Sequence, residues 1–459
     1  MPVKRHDMGD RKAISRVLLA VAVVAVLITA TAAAVEFAKL TTTPVGSATR
    51  TTSVPAFGSP TAVITASSSL SATKRTGYPF TIATVNTTVP GAYEDNYTYL
   101  MNQLTTFNQT LGPVPGQHNA PVYGADLVFA DGNLGPGLFG SGTSEQVNLT
   151  LNMFQELGIT GVTDTIVFPL LNPGFPNSSA YLAFFENLSR QVHARGMTLT
   201  IESAALLPNS GASFNWSTLP YGTFVSEDIQ MNQLIINDVH PDVLEIMSAE
   251  PETEALATGY SQLNTQTGWT SFIQSMVAGL DKGSTKLSAG VDDWQSPQWL
   301  DPLASIQGLD YLSTHVYPLY GSWIQNLIQI GQIAQQNHKR IVIDEMWADK
   351  PVAPYSGNYV ELAKNTYTQN VYSFWMPVDQ EFLLVMAEYA EIYPVQYHSP
   401  FWPVYFSAYT NYTPTNAALS IDQLWRVEIY NTLLSLGANT ITPVGFTYYE
   451  LTHGALPLT

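Results

Sequence analysis

Three segments of the sequence place reactive side chains directly after runs of apolar residues. Glu250 follows one such run, Glu345 ends a second, and His315 and Tyr317 stand at the end of a third. Two carboxyl groups with distinct protonation states are what the cleavage of a glycosidic bond requires. One must be held protonated to give its proton to the departing oxygen, and the other must stay ionised to attack or stabilise the anomeric carbon.

A structural role is the alternative for each of these side chains. Glu250 immediately precedes Pro251 and could cap a helix that starts there, since acidic residues favour helix N-termini. His315 and Tyr317 could be hydrogen-bonded polar groups on the rim of a fold. Glu345 is harder to explain in this way, because a carboxylate that ends a buried strand costs several kcal/mol unless it is paired or faces a cleft.

Five further side chains near strand ends are candidates for substrate contact. Trp294, Trp347 and Trp402 fall on predicted loops, where an indole face could stack on the C–H face of a sugar ring; packing between loops is the alternative. Asp126 and Glu202 lie near the ends of early strands. They could bind sugar hydroxyls, with structural hydrogen bonding as the alternative.

Short β-rich segments alternate with longer helical segments from about residue 120 to the C-terminus. The predicted strands span 122–129, 161–168, 197–203, 243–248, 287–292, 309–315, 340–345 and 395–401. The predicted helices span 144–157, 179–194, 225–238, 270–282, 323–337, 378–392 and 420–436. Several strands are almost continuously apolar, which is typical of a parallel sheet that is covered on both faces.

Eight alternations of strand and helix predict an α/β fold, a (β/α)8 TIM barrel. In such a barrel the reactive side chains lie at the C-terminal ends of the strands, which would bring Glu250, His315 and Glu345 to one mouth. Residues 440–448 compete for the place of the eighth strand. A doubly wound open sheet is the structural alternative, although the Gly-x-Gly-x-x-Gly turn that often opens such sheets is absent.

The ordered set of motifs resembles the clan-A retaining glycoside hydrolases with a (β/α)8 barrel, the cellulase and β-glycosidase superfamily. The resemblance implies that Glu250, in Ala-Glu-Pro, is the acid/base and that Glu345, in Ile-Asp-Glu-Met-Trp, is the nucleophile. It also implies that Tyr317 hydrogen-bonds the nucleophile and that His315 lines the same cleft. The expected activity is hydrolysis of a β-linked glycan or glycoside, with a carbohydrate as partner, no cofactor and no metal.

Two departures from the family pattern leave a second function possible. Ala249 stands where the family has an Asn that contacts the sugar 2-hydroxyl, and no Arg stands near an early strand end. A catalytically inactive barrel that binds glycans or serves as a structural cell-surface protein is therefore the alternative.

Composition argues against several other functions. The net charge of −18 disfavours a nucleic-acid partner, because the phosphate backbone would be repelled. A metal-dependent barrel hydrolase would want a His-x-His pair at the first strand, and none is present. No Gly-x-Ser-x-Gly elbow for serine hydrolysis occurs, and the absence of cysteine excludes disulfides and thiolate metal sites.

The N-terminal residues predict export. Basic side chains at Lys4, Arg5, Arg11, Lys12 and Arg16 precede an apolar run at 17–35. Residues 1–40 are therefore a cleaved signal peptide or a retained membrane anchor, which places the remainder at the cell surface or outside the cell. Residues 41–77 read as a Ser/Thr/Pro-rich linker, 78–119 as an extension that packs on the barrel, and 120–459 as the barrel itself.

Eight Asn-x-Ser/Thr triplets add weight to export and predict a glycoprotein. They begin at Asn86, Asn96, Asn108, Asn148, Asn177, Asn187, Asn215 and Asn411.

Overall fold

The computed structural model describes residues 71–74, 77–113, 121–207, 210–318, 322–350, 370–456 and 458. The strands of these residues are β1 (Ser71–Lys74), β2 (Thr81–Thr84), β3 (Val122–Tyr123), β4 (Gly161–Phe168), β5 (Thr198–Ala205), β6 (Val243–Glu245), β7 (Lys286–Gly290), β8 (Tyr311–Ser313), β9 (Arg340–Met346), β10 (Val395–Pro400) and β11 (Thr440–Ile441). Strands β3 to β10 form one parallel sheet, in which each strand from β4 to β9 pairs with the next in the chain. All eight predicted strands are confirmed, some with shorter bounds.

The parallel sheet closes into a barrel. Strand β10 pairs with β3, so the last strand returns to the first. The segment directly after β3 closes the other side: the Leu127 amide donates to the Thr163 carbonyl at 2.9 Å, and the Thr163 amide donates to the Ala125 carbonyl at 3.1 Å. This strand order excludes the doubly wound alternative and confirms the (β/α)8 barrel.

Helices cover the outside of the barrel. Their bounds are α1 (Glu94–Leu111), α2 (Thr143–Glu156), α3 (Ser178–Ala194), α4 (Tyr221–Leu234), α5 (Pro251–Thr258), α6 (Gln266–Gly279), α7 (Leu300–Ala304), α8 (Trp323–Gln336), α9 (Met376–Ile392), α10 (Val404–Ser407), α11 (Pro414–Ala417), α12 (Ile421–Gly437) and α13 (Pro443–Thr452). The seven predicted helices correspond to α2, α3, α4, α6, α8, α9 and α12. Gly158 and Gly196 follow α2 and α3 with a φ of 73°, a left-handed conformation that suits a glycine ending a helix.

A small second sheet lies outside the barrel. Strand β1 pairs antiparallel with β2, and β11 pairs parallel with β2. Residues 440–448 therefore do not compete for the eighth barrel strand: their first two residues pair with β2, and most of the rest begin α13. Strand β1 also occupies the end of the segment predicted to be linker.

The predicted leader and the linker up to residue 70 lie outside the described residues. Among the residues that are described, no helix is both long enough and apolar enough to span a bilayer. One of the eight triplets does not fit glycosylation of the folded chain, because Asn96 in α1 has only 6% of its surface exposed. The other seven asparagines are partly or fully exposed.

Tyr397 on β10 fills the interior of the barrel where its first and last strands meet. The side chain is buried, and its hydroxyl lies 2.8 Å from Thr163 Oγ1 on β4. The ring lies directly against the backbone of Gly124 and Gly161, where an added Cβ atom would overlap it. The two glycines are thus required so that one aromatic ring can pack between three strands.

Replacing Gly124 by Ala should lower the free energy of unfolding by about 1–3 kcal/mol, because the new methyl group overlaps the Tyr397 ring. In a Tyr397→Leu background the overlapping ring atoms are gone, so the two substitutions should couple by about 0.5–3 kcal/mol in denaturant titrations. Gly222→Ala is the matched control, since a Cβ there meets nothing within 4 Å. Additive effects of the Gly124 and Tyr397 substitutions would show that this packing is wrong.

Candidate active site

The four predicted catalytic residues lie together at the C-terminal mouth of the barrel. Glu250 follows β6 and occupies the N-cap position of α5. His315 and Tyr317 follow β8, and Glu345 is the penultimate residue of β9. These are the fourth, sixth and seventh strands of the barrel, so its closure brings together side chains that are up to 95 residues apart in the chain.

His315 is the centre of this group and contacts four carboxylates. Its Nδ1 lies 3.3 Å from Glu250 Oε1 and 3.4 Å from Glu345 Oε2. Its Nε2 lies 3.6 Å from Glu245 Oε2 and 3.7 Å from Asp344 Oδ1. The ring therefore joins an outer pair, Glu250 and Glu345, to an inner pair, Glu245 and Asp344. Because the outer carboxylates share one nitrogen, their nearest oxygens are at most about 7 Å apart.

Only the outer pair of this four-carboxylate group is open to solvent. The side chains of Glu250 and Glu345 are 16% and 12% exposed, whereas those of Glu245 and Asp344 are completely buried. A ligand that enters the mouth can therefore reach the outer carboxylates, and the inner pair can act on it only through His315.

The carboxylates determine the charge of His315. Burial by itself would lower the pKa of the imidazole, but the neighbouring carboxylates outweigh it and raise that pKa well above its usual value. In decreasing order, these neighbours are Glu345, Glu245, Glu250 and Glu202. His315 is thus an imidazolium, a single positive charge shared among several buried acids.

Separate hydrogen bonds orient the two outer carboxylates. The Tyr317 hydroxyl donates to Glu345 Oε2 at 2.8 Å, as the family resemblance implied. Thr253, in the first turn of α5, donates from Oγ1 to Glu250 Oε2 at 2.7 Å. Glu250 thus occupies the N-cap position of α5, but its side chain makes no capping hydrogen bond to the helix backbone.

The ionisation of Glu345 reflects opposing effects. Burial raises its pKa well above the ordinary range, and the charges of Glu202, Glu250 and Asp126 add to that increase. The His315 imidazolium acts in the opposite direction. The Tyr317 hydroxyl also favours the ionised form, because it donates a hydrogen bond that only a lone pair can accept.

Asp126 and Glu202 lie in the same group, beneath the outer pair. Their exposed fractions are 2% and 3%, so neither offers the open face that a sugar-binding role would use. Burial and the nearby Asp131, Asp164 and Glu202 raise the pKa of Asp126 well above its usual value, and His315 acts against them.

Two sets of carboxylate and imidazole atoms are close enough together to surround a cation. They are Glu202 with His315 and Glu345, and Glu245 with His315 and Asp344; within each set the atoms lie within 4.8 Å of one another. Both sets use His315, and an imidazolium has no free lone pair for a metal. We assign no metal ligands here, since the protonated ring itself supplies the positive charge.

The predicted aromatic contacts divide into buried and accessible side chains. Trp347 and Trp402 have 0% and 2% of their surface exposed and pack against Tyr405 and Trp425, so no indole face is free to meet a sugar. The prediction of sugar contact for these two residues does not fit this packing. The loops that carry these two residues direct the indole rings into the protein core instead of the barrel mouth.

Trp294 remains a candidate for sugar contact, and Phe401 is a second candidate. Trp294 is half-buried, and its ring centroid lies 6.0 Å from that of Tyr317. Phe401, also half-buried, lies 6.2 Å from Tyr317 on another side. Phe401 was not predicted from the sequence; its place directly after the last barrel strand is the signal that identifies it.

Glu245 and Asp344, the inner pair, were also not assigned a role from the sequence. Glu245 stands between Leu244 and Ile246, and Asp344 between Ile343 and Glu345. An acidic residue that interrupts an otherwise apolar strand points into the barrel at a layer where other polar groups must meet it. That interruption is the signal that could have identified them.

Known proteins resemble this chain in fold and not in sequence. No protein-family model matches the sequence, and no curated protein matches it. Three similar solved structures are a GH113 β-1,4-mannanase, Thermotoga maritima Cel5A in complex with cellobiose, and the cellulose synthase subunit Z of Clostridioides difficile. Their sequence identities are 12%, 13% and 11%, and their TM-scores are 0.38, 0.42 and 0.41. The alignments cover 69%, 71% and 67% of this chain and 99%, 98% and 99% of those chains.

The (β/α)8 barrel fold that the resemblance to the clan-A glycoside hydrolases implied is confirmed by the architecture of this chain. Eight parallel strands form the barrel, one glutamate follows the fourth strand, and one lies near the end of the seventh.

The charge of His315 can be measured directly. In ¹⁵N spectra of histidine-labelled protein, both ring nitrogens of His315 should remain protonated at pH 8, because the surrounding carboxylates raise its pKa. His398 on β10 is the matched control: burial lowers its pKa to about 3, so it should be neutral at pH 5. Assignments come from His315→Gln and His398→Gln. A His315 signal that titrates near its ordinary value would contradict the imidazolium at the centre of the site.

Proposed function

We propose that this protein is an extracytoplasmic retaining glycosidase that hydrolyses a β-linked glycan or glycoside. The observation that carries the proposal is the outer pair: two partly exposed carboxylates at the barrel mouth, each within 3.4 Å of the same nitrogen of His315. Two such groups on a surface that a sugar can reach, with different hydrogen-bond partners, are the minimum that this reaction needs.

The two glutamates have different roles in the proposed reaction. Glu345 attacks the anomeric carbon while Glu250 gives its proton to the departing glycosidic oxygen, which leaves a glycosyl ester on Glu345. Glu250, now ionised, then takes a proton from water as that water attacks the anomeric carbon and releases Glu345. The two inversions retain the configuration; enzymes of this kind place their carboxyl groups about 5 Å apart, whereas inverting enzymes separate them by about 6.5–9.5 Å.

The neighbours of Glu345 support its assignment as the nucleophile. Tyr317 and His315 both contact Glu345 Oε2, and both favour the ionised form of Glu345 over the carboxylic acid. Glu250 has the Thr253 hydroxyl and a share of the imidazolium, a more adaptable environment for a group that must gain and lose a proton. Ala249 is completely buried, so the sugar 2-hydroxyl contact of the family is not made at that position.

The proposed substrate is a carbohydrate that enters between Trp294 and Phe401. These two side chains flank Tyr317 and are the half-buried aromatic groups beside the outer pair. Their faces would pack on the C–H faces of a sugar while the carboxylates reach its anomeric carbon.

Replacing Glu345 by Gln should lower kcat on β-glycosides by at least about 10⁴-fold, because the amide cannot form the glycosyl ester. Replacing Glu250 by Ala should cost much less on aryl glycosides with a good leaving group, such as 2,4-dinitrophenyl, than on poor leaving groups that need a proton. A panel of β-glucosides, β-mannosides and their oligosaccharides provides the assay, with ¹H NMR of the first-formed anomer. Glu145→Gln, on an exposed helix position, is the control.

Two outcomes would contradict this proposal. Hydrolysis that survives Glu345→Gln would remove Glu345 as nucleophile, and a first-formed anomer of inverted configuration would remove the retaining course. If no glycoside is hydrolysed but glycans bind to the purified protein, the alternative of an inactive glycan-binding barrel is correct.

The extracytoplasmic location is proposed from the basic and apolar N-terminal residues and from seven accessible Asn-x-Ser/Thr triplets. Full-length protein expressed in a host that exports it should be found in the medium or at the cell surface, and a chain starting at residue 41 should stay inside. N-terminal sequencing of the exported form distinguishes a cleaved signal from an anchor. Equal distribution of both chains would contradict the proposed export.

A further inference from the structure

A buried carboxyl group two residues after Glu250 holds an aromatic ring at the barrel mouth. Glu252 lies in the first turn of α5 with 5% of its surface exposed, and its Oε1 accepts a hydrogen bond from the Trp294 indole Nε1 at 2.5 Å. An indole N–H can only donate, so the Glu252 oxygen is the acceptor whether or not its carboxyl group is ionised. The catalytic steps proposed above do not use Glu252.

The backbone of the loop that carries Trp294 is also held in place. The completely buried side chain of Asp292 accepts a hydrogen bond from the Trp294 amide at 3.1 Å. The Asp293 amide donates to the His315 carbonyl at 3.0 Å, and Asn326 on α8 donates from Nδ2 to the Asp293 carbonyl at 2.8 Å. The loop is therefore attached both to the segment after β8 and to α8.

A fixed backbone does not by itself fix the indole ring, because the side chain can still rotate about its two torsion angles. The hydrogen bond from Nε1 to Glu252 restricts that rotation. In the resulting orientation the Trp294 ring centroid lies 6.0 Å from that of Tyr317, with 37° between the ring planes. The Tyr317 hydroxyl in turn donates to Glu345 at 2.8 Å. The indole thus has a defined position relative to the proposed nucleophile.

We propose that Glu252 is a positioning residue that holds the Trp294 indole as one wall of the sugar-binding site, beside Tyr317. The inference rests on the proposed function, since it requires a sugar to bind at the outer pair. A wall that is ordered before the sugar arrives loses less side-chain freedom on binding, so the sugar binds more tightly. The start of α5 thereby supplies the acid/base Glu250 and also anchors a surface that the sugar contacts.

The kinetic test separates substrate binding from the chemical step. Glu252→Leu removes the acceptor but keeps a side chain of similar size. It should raise KM by about 10-fold on the oligosaccharide that the enzyme hydrolyses best, and it should change kcat much less, because both catalytic glutamates remain. Glu252→Gln keeps a carbonyl oxygen for the indole and should recover most of that loss. Glu145→Leu, on an exposed helix position, is the matched control and should keep the wild-type KM.

A double-mutant cycle shows whether Glu252 acts through the indole. Trp294→Phe keeps an aromatic face but has no N–H to donate. In that background Glu252→Leu should add little to KM, because the hydrogen bond is already lost. An equal rise of KM in both backgrounds would mean that Glu252 acts in another way, such as through the packing of α5, and would overturn the inference.

Nitrogen NMR of tryptophan-labelled protein gives a reading that does not depend on activity. The Trp294 indole signal, assigned with Trp294→Phe, should shift in Glu252→Leu and return close to its wild-type position in Glu252→Gln. Trp269 is the internal control: its indole donates to the Gly290 carbonyl at 2.9 Å, so its signal should stay in place in both variants. In Glu345→Gln protein, which should bind the oligosaccharide without consuming it, the Trp294 signal should move as the sugar is added.

Two NMR outcomes would overturn the inference while Glu345 can still be the nucleophile. An indole signal of Trp294 that is the same in the wild type and in Glu252→Leu would show that Glu252 does not hold the ring. A Trp294 signal that does not move when the oligosaccharide saturates the protein would remove this ring from the sugar-binding site. If Glu345→Gln leaves hydrolysis intact, it is instead the proposed function that fails.

Discussion

One positive charge in a group of buried acids holds this site together. The His315 imidazolium lies within 3.7 Å of four carboxylates contributed from β6, from β9 and from the start of α5. Without it, these like charges would be uncompensated in a largely desolvated space, a cost of several kcal/mol. The ring also separates the carboxylates by function, because its two nitrogens face an accessible pair and a buried pair. The protonation states of the residues in this site are therefore coupled, and the role of each residue depends on which groups are protonated.

The barrel provides the geometry that this charge balance needs. Parallel strands deliver their C-terminal ends to one mouth, so that a glutamate after β6, a histidine after β8 and a glutamate at the end of β9 meet without long loops. The packing of Tyr397 against Gly124 and Gly161 joins the first, second and last strands of the barrel. Closure of the barrel keeps the carboxylates close enough to share the imidazole, and the site in turn places charged groups where an apolar core would be more stable.

The sequence predicted most of this architecture because its strands are short, apolar and regularly separated by helical segments. It also predicted the outer pair and Tyr317, since reactive groups at strand ends are visible as polar residues after apolar runs. Glu245 and Asp344 were not assigned a role, because they lie within the strands. Their contact with the His315 ring depends on how the strands come together in the fold. The burial of Trp347 and Trp402 could not be predicted from the sequence either. The path of a loop decides whether an indole faces a cleft or the core, and hydrophobic periodicity does not predict that path.

Glu345 is proposed to form a covalent bond to the sugar, and trapping that bond tests its role most directly. A 2-deoxy-2-fluoro β-glycoside with a reactive leaving group forms the ester but slows its hydrolysis, so the adduct accumulates. Mass spectrometry of the digested protein should locate one fluoroglycosyl group on the peptide that contains Glu345, with no labelling in Glu345→Gln. A label on a different carboxylate, or turnover of the parent glycoside without any trapped adduct, would contradict the account.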